Sequence, residues 1–378
     1  MSNGQSNLDV LLSGIGAAAA QPFETGITMP PLSYTSAELL ALEHEKIFST
    51  QWICVGRAEE IPTVGDYFTV RVAEEPIVVV RADTRQIRAL SNVCRHKWTQ
   101  LLDGHGNTSR IVCPYHAWTY DLDGALVHTR FMENSGGFDP SKCALPQIEC
   151  DLWRGFIYVR IDGDDSSLAE QFSGLDARTF DYHMEDMTQI CGGEEIWEAN
   201  WKLLVENFTE TYHVFHTHRD SIAKYSPTEL TMIMDGDAAH SFGVNPLFKD
   251  AMEESPFEPH HPELSDKHQE EFCMIGLFPA QMIALAPDRI FYMCLTPLGP
   301  DRLHSKWGVA CYDHNLSTEA AAGIEGIYQT INAEDRIRLE RVQTSLKSRF
   351  ARSGPISQYE KLNWEFTRYL SRLLNGVR

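Results

Sequence analysis

Two short runs, Cys94-Arg95-His96 and Cys113-Pro114-Tyr115-His116, constrain this chain more than any other feature. They read C-x-H and C-x2-H, with sixteen residues between them. Four thiolate and imidazole donors in two short loops can surround a metal centre, so the fold must bring both loop tips together. A Cys2His2 zinc site is the plain alternative, but zinc sites more often pair like with like, as C-x2-C and H-x3-H. Here each pair mixes one Cys with one His. That mixture suits a [2Fe-2S] centre in which one iron takes two thiolates and the other two imidazoles, which raises the reduction potential above that of an all-thiolate cluster. Nine cysteines, an odd number scattered along 378 residues, fit reduced thiols and metal ligands better than a disulfide framework.

The surrounding texture is that of a small all-β domain. From about 52 to 160 the chain runs in short β-like segments, Tyr67–Val72, Ile77–Val80, Ile111–Val112, Trp118–Leu122 and Gly155–Arg160, separated by turn signals such as Asp123-Gly124. Before it, residues 1–33 read as irregular, and Thr35 with Glu38 has capping-box spacing for a helix starting at Thr35. After it the mixture changes. Residues 198–218 read as a helix, 272–312 as strands (Met282–Leu285, Phe291–Leu295, Ser305–Tyr312) and 317–350 as a long helix. The expected fold is α+β, with a small β domain set before a larger one, as a chain of this length allows.

The run CPYHAWTYDLDG at 113–124 is the most specific in the chain. With it, the sequence resembles the Rieske oxygenases, in particular the α subunits of ring-hydroxylating and N-demethylating enzymes. It departs from their pattern at Lys97 and Trp98, where Arg-Gly commonly follows the first His. The resemblance implies three parts: an N-terminal arm and helix over 1–50 that pack on the catalytic domain, a Rieske domain over 51–160, and a catalytic domain over 161–378. The last would have an antiparallel sheet and helices of the helix-grip type. Cys94, His96, Cys113 and His116 would hold the [2Fe-2S] cluster. A respiratory Rieske protein normally carries an extra cysteine in each ligand loop, and residues 97–112 have none.

A second constellation lies at 200–218, NWKLLVENFTETYHVFHTH. Non-haem Fe(II) oxygenases bind iron through two His and one carboxylate on one face, leaving positions open for O2. Helix geometry alone would choose His213 and His216, which share a face; His213 with His218 requires the helix to end or bulge between them. The resemblance favours His213 and His218 as iron ligands and places Glu210 as the bridge for electrons between His116 of one chain and His213 of the next. It also puts Asn207 among the catalytic residues. For the third ligand, Ile324, Ile327, Ile331, Asp335, Leu339, Val342 and Leu346 trace one stripe at spacings of three and four. A carboxylate in an apolar stripe needs a partner. Arg336 or Arg338 is the plain partner, though both project off the stripe; iron is the sharper one. Glu334-Asp335 followed by Gln343 resembles the family's third-ligand segment, so Asp335 is expected as ligand, with Glu334 as the fallback.

The formal charge of −21 argues against nucleic acid or an anionic membrane as partner. No apolar run reaches the roughly 18–20 residues of a membrane helix, and the N-terminus lacks a basic n-region, so a cytoplasmic protein is expected. No plant-type ferredoxin motif or nucleotide fingerprint is present, so NAD(P)H electrons should come from a separate flavin and iron–sulfur reductase. The resemblance further implies a homotrimer. Glutamate at 210, where Asp is common, is similar to the carnitine, choline and betaine monooxygenases. The expected reaction is therefore hydroxylation or N-demethylation of a small quaternary ammonium substrate with O2. Trp364, Phe366, Tyr369, Phe291 and Tyr292 are candidates for a cation–π cage. The alternatives are dihydroxylation or O-demethylation of an aromatic acid, and a redox protein that does no oxygen chemistry.

Overall fold

The structure, a computed structural model, describes residues 6–164, 166–223, 225–247, 259–313 and 315–376. The chain forms two compact units, Phe48–Leu168 and a second made of Met1–Ile47 with Ala169–Arg378. Among the described residues, no helix is long and apolar enough to cross a membrane.

The 48–168 unit is all β. Its strands are β1 (Ile53–Arg57), β2 (Asp66–Val72), β3 (Glu75–Arg81), β4 (Ile87–Ser91), β5 (His105–Asn107), β6 (Ile111–Val112), β7 (Thr119–Tyr120), β8 (Leu126–His128), β9 (Gln147–Trp153) and β10 (Phe156–Arg160). Seven form an antiparallel sheet in the order β1-β10-β9-β4-β3-β2-β5, and the rest a small sheet β6-β7-β8. Ile77, Val78, Val79 and Val80 are all fully buried, so this β-branched run is covered on both faces. Val78, Val80, Leu90, Ile111, Trp118 and Tyr120 share one core with Cys94 and Cys113. That core seats the two cysteines at the bases of their loops.

The other unit contains β11 (Thr188–Trp197), β12 (Met232–Met234), β13 (His240–Pro246), β14 (Glu271–Leu277), β15 (Gln281–Leu285), β16 (Arg289–Gly299) and β17 (Arg302–Cys311). They form one antiparallel sheet in the order β11-β17-β16-β15-β14-β13-β12. The helix Trp201–Thr209 lies across β14, β15 and β16, the long helix Thr318–Ser345 against β11, and the helix Lys361–Asn375 against β13.

Several local expectations change. Residues 6–33 are not irregular: Asn7–Ala19 is a helix, opened by a capping box between Ser6 and Asp9, and it packs on the C-terminal helix. The next helix is Ala37–Glu43, with Ser36 rather than Thr35 as its cap, because the Ser36 hydroxyl accepts the Leu39 amide (3.1 Å). Residues 198–218 are not one helix. Asn200 caps it by accepting the Lys202 amide (3.0 Å), and it stops where Glu210 turns extended (φ −118°, ψ 155°). The stripe on the long helix is not continuously buried either. Ile327 and Val342 are 56% and 41% exposed, while Asn332, Leu339 and Gln343 are buried. The covered face is thus offset from the aliphatic one and partly polar. Gln343 earns its burial by bonding the Asn200 amide (2.9 Å) and the Tyr34 carbonyl (3.0 Å).

A buried ion pair ties the N-terminal segment to the helix Trp201–Thr209. Lys202 Nζ lies 2.6 Å from Glu43 Oε1, and the Trp201 indole donates to Glu43 Oε2 at 2.9 Å.

Candidate active site and cluster site

The two Cys/His loops have the same backbone plan. Cys94 N donates to Thr99 O and Trp98 N to Cys94 O (2.9 and 3.0 Å); Cys113 N donates to Trp118 O and Ala117 N to Cys113 O (2.8 and 3.0 Å). Trp98 and Ala117 occupy corresponding left-handed positions, with φ of 57° and 55°. Such a conformation costs a side-chain-bearing residue roughly 1–2 kcal/mol, which explains why glycine suits position 98 better than the tryptophan found here.

These turns place the two sulfurs inside and the two imidazoles at the tip. Cys94 and Cys113 are 1% and 2% exposed. The His96 and His116 rings lie 4.7 Å apart at 67°, and His96 stacks on Trp118. Burial, then the neighbouring His116 and Lys97, hold the His96 imidazole below its ordinary pKa, which favours the neutral form a metal needs. His96 Nδ1 is buried with no hydrogen-bond partner among the described residues. Behind the loops, the Tyr120 hydroxyl sits 3.4 Å from Cys94 Sγ and accepts the Arg95 amide at 3.0 Å.

In the other unit His213, His218 and Asp335 converge. Asp335 Oδ1 is 3.5 Å from His213 Nε2 and 3.0 Å from His218 Nε2, and the two rings stand 5.0 Å apart at 71°. The chain solves the spacing problem by leaving its helix at Glu210 and making a second, short one, Val214–Thr217. His213 and His218 cap its two ends. His216 points outward and is exposed. On the far side of each ring lies another carboxylate: Glu210 Oε1 is 2.6 Å from His213 Nδ1, and Glu334 Oε2 is 2.7 Å from His218 Nδ1. Glu334 therefore backs His218 instead of joining the convergence point. Neither Glu334's support nor its bond from the Ser221 hydroxyl (2.7 Å) was marked by any sequence pattern. Asn207 is half-buried on the last turn before the helix break.

A neutral imidazole donates from one nitrogen only. The shorter contacts at Nδ1 take that proton, so both Nε2 lone pairs face the Asp335 carboxylate. Asp335 Oδ1 is buried without a hydrogen-bond partner among the described residues. Three acceptors converging on one point repel unless a cation sits among them, so this donor set fits a metal ion. Burial works to lower the His218 pKa, but Asp335 and Glu334 outweigh it and raise it, as expected for an imidazole held in a negative field.

Residues 174–376 match the family described as the ring hydroxylating alpha subunit (catalytic domain). The chain belongs to this ring-hydroxylating alpha-subunit family. Residues 51–148 match the Rieske [2Fe-2S] domain, so this alpha subunit carries a [2Fe-2S] cluster and a mononuclear iron, and it works with a reductase on a small molecule. It is 29% identical over 327 residues to the carnitine monooxygenase oxygenase subunit of Escherichia coli K12, covering 85% of each chain. It is 28% identical over 365 residues to the chloroplastic choline monooxygenase of Amaranthus tricolor, covering 94% of this chain and 79% of that one. Its fold is similar to the quaternary ammonium Rieske monooxygenase CntA in complex with L-carnitine, with a TM-score of 0.80 and 24% identity over 95% of this chain and 98% of the other. Naphthalene 1,2-dioxygenase from Rhodococcus sp. shares the fold at a TM-score of 0.78 and 20% identity, covering 98% and 99%.

Proposed function

We propose that this alpha subunit is a monooxygenase that hydroxylates a small quaternary ammonium compound on a carbon next to nitrogen, with C–N cleavage or demethylation following. The observation that carries the oxygenase reading is the convergence of His213, His218 and Asp335 with a carboxylate behind each imidazole. A protein that only shuttles electrons has no use for it. Cys94, His96, Cys113 and His116 hold the cluster, and His213, His218 and Asp335 hold the iron. Two imidazoles and one carboxylate on one face leave the iron room to activate O2.

The chain's own residues do the positioning. Glu210 and Glu334 fix the Nδ1 protons of His213 and His218, which aims both Nε2 atoms and raises their basicity. Glu210 also serves as the electron bridge from the neighbouring subunit's cluster in a homotrimer, and electrons reach that cluster from an NAD(P)H-dependent flavin and iron–sulfur reductase. The large exposed side chains at the cluster loops, Trp98 (82%) and Tyr115 (62%), suit a surface that another protein covers.

The substrate class rests on the relatives, which carry carnitine, choline and glycine betaine monooxygenase names. Of the cage candidates, Phe366 and Tyr369 pack on Phe278 in the core, Trp364 donates to the Gln21 carbonyl, and the Tyr292 hydroxyl donates to Gln189. Phe291 is the better placed. It stacks on Tyr328 at 4.5 Å, and Tyr328 precedes Asp335 by two turns on the same helix face.

The test is a single turnover of reduced, iron-loaded protein with O2 and a panel pairing carnitine, choline and betaine with aromatic acids, read by mass spectrometry. A hydroxylated or demethylated cation is expected. An oxidised aromatic acid and no cation product would overturn the substrate class.

A further inference from the structure

Four of the chain's fifteen histidines fall outside both centres yet gather in one place: His183, and the run His260, His261 and His268. His183 is held by a left-handed backbone turn (φ 43°) after the short helix Phe180–Tyr182. Its Nε2 lies 3.0 Å from Glu263 Oε2, and its ring stacks on His261 at 3.8 Å. One donor atom from each of His183, His261 and Glu263 lies within 4.8 Å of the others. Asp186 adds a carboxylate 3.9 Å from His261 Nε2.

We propose that His183, His261 and Glu263, with Asp186 as the fourth donor, bind a divalent transition ion of the zinc class. Two imidazoles with carboxylates are a borderline donor set, which suits such ions better than calcium or magnesium. An ion about 2.1 Å from each donor reaches both members of a pair 3.0 Å apart, as His183 Nε2 and Glu263 Oε2 are.

The backbones that carry the donors are already pinned. Asp181 accepts the Ser265 amide at 3.1 Å and lies 2.8 Å from His268 Nδ1, and the Tyr312 hydroxyl donates to the His183 carbonyl at 3.1 Å. Only side chains have to move. The rings must open from 3.8 Å toward the 5.0 Å of the His213–His218 pair, because an ion is met by ring nitrogens and not ring faces. The His183 and His261 side chains are 24% and 21% exposed and have room to swing. Binding through His261 Nε2 moves its proton to Nδ1 and gives up one long bond, that from the Glu263 amide at 3.2 Å. The ion then clamps the 261–263 turn onto the 183–186 turn.

The experiment is equilibrium dialysis of the iron-loaded protein against zinc chloride, with zinc and iron both measured by mass spectrometry. Expected is one saturable zinc per chain at unchanged iron content. H183A/H261A should weaken zinc binding by more than about 100-fold, since even loss of a residue behind a ligand costs 10–100-fold. Glu263→Gln, at a side chain that is 72% exposed, should weaken it too while iron content and cluster spectrum hold. Absence of saturable zinc, zinc gained only as iron is lost, or binding unchanged in these variants would overturn the site.

Discussion

Replacing Tyr120 with Phe removes the phenol's contact with Cys94 Sγ together with its acceptance of the Arg95 amide. The ring is fully buried in the core around Cys94 and Cys113, and Phe keeps its packing. Because the Arg95 amide already donates to the phenol oxygen, the phenol's own proton is directed at Cys94 Sγ, 3.4 Å away. A cluster thiolate can only accept. The bond favours the more negative, reduced cluster, so its loss lowers the midpoint potential. A hydrogen bond to a charged group is worth about 1.5–3 kcal/mol, of which only the difference between the two redox states counts. Taking about 1 kcal/mol as that difference, and 59 mV per tenfold for one electron, the midpoint should fall by roughly 40 mV, with about 130 mV as the limit if the oxidised cluster gains nothing. The assay is a redox titration of the reduced cluster's EPR signal in wild type and Tyr120→Phe, matched for iron and sulfide. An unchanged midpoint in fully loaded variant protein would refute the assignment of the phenol as donor to Cys94.

Asp335→Ala should abolish turnover and remove the mononuclear iron while the cluster spectrum persists; retained iron at that site by metal analysis would exclude Asp335 as a ligand. Glu210→Gln should keep both metals yet slow cluster reoxidation in the presence of substrate and O2 by orders of magnitude, followed by stopped-flow absorbance; a normal rate would end the bridging role. Trp98→Gly removes a left-handed backbone penalty of roughly 1–2 kcal/mol, partly offset by glycine's entropy, so the 48–168 unit should unfold at a higher temperature by calorimetry. Glu43→Gln strands the buried Lys202 ammonium and should cost about 3–5 kcal/mol, seen as a large drop in thermal midpoint; a midpoint close to wild type would show that the Glu43 pair does not carry that charge.

The matched pair of Cys/His loops was legible because its chemistry is local: four donors in two short runs, set by spacing. The convergence of His213, His218 and Asp335 was less so. Helical periodicity favoured His213 with His216, and only the family pattern pointed to His218. What brings His218 beside His213 is the extended backbone at Glu210, a break that no glycine or proline announces. The partners of the ligands were not legible. Glu334, 116 residues from His218, looks like a second choice for the metal until both ring nitrogens are in view. The long helix misled in a related way. Its aliphatic stripe predicted burial of Ile327 and Val342, yet the covered face includes Asn332 and Gln343, whose partners come from distant segments and leave no periodic trace.

Those distant carboxylates change what the iron site is. Glu210, Glu334 and Asp335 place three acidic side chains around two imidazoles, and their exposures are 11%, 30% and 13%. The raised His218 shows the field that Asp335 and Glu334 set up. A divalent ion held between the two Nε2 atoms and Asp335 would offset two of the three charges, with the Nδ1 protons directed at Glu210 and Glu334. The remaining negative charge sits on the Nδ1 side, where it would make the imidazoles stronger donors toward an iron held at their Nε2 atoms. Removing either backing glutamate therefore weakens the centre without touching a ligand, through the orientation and basicity of the ring it holds.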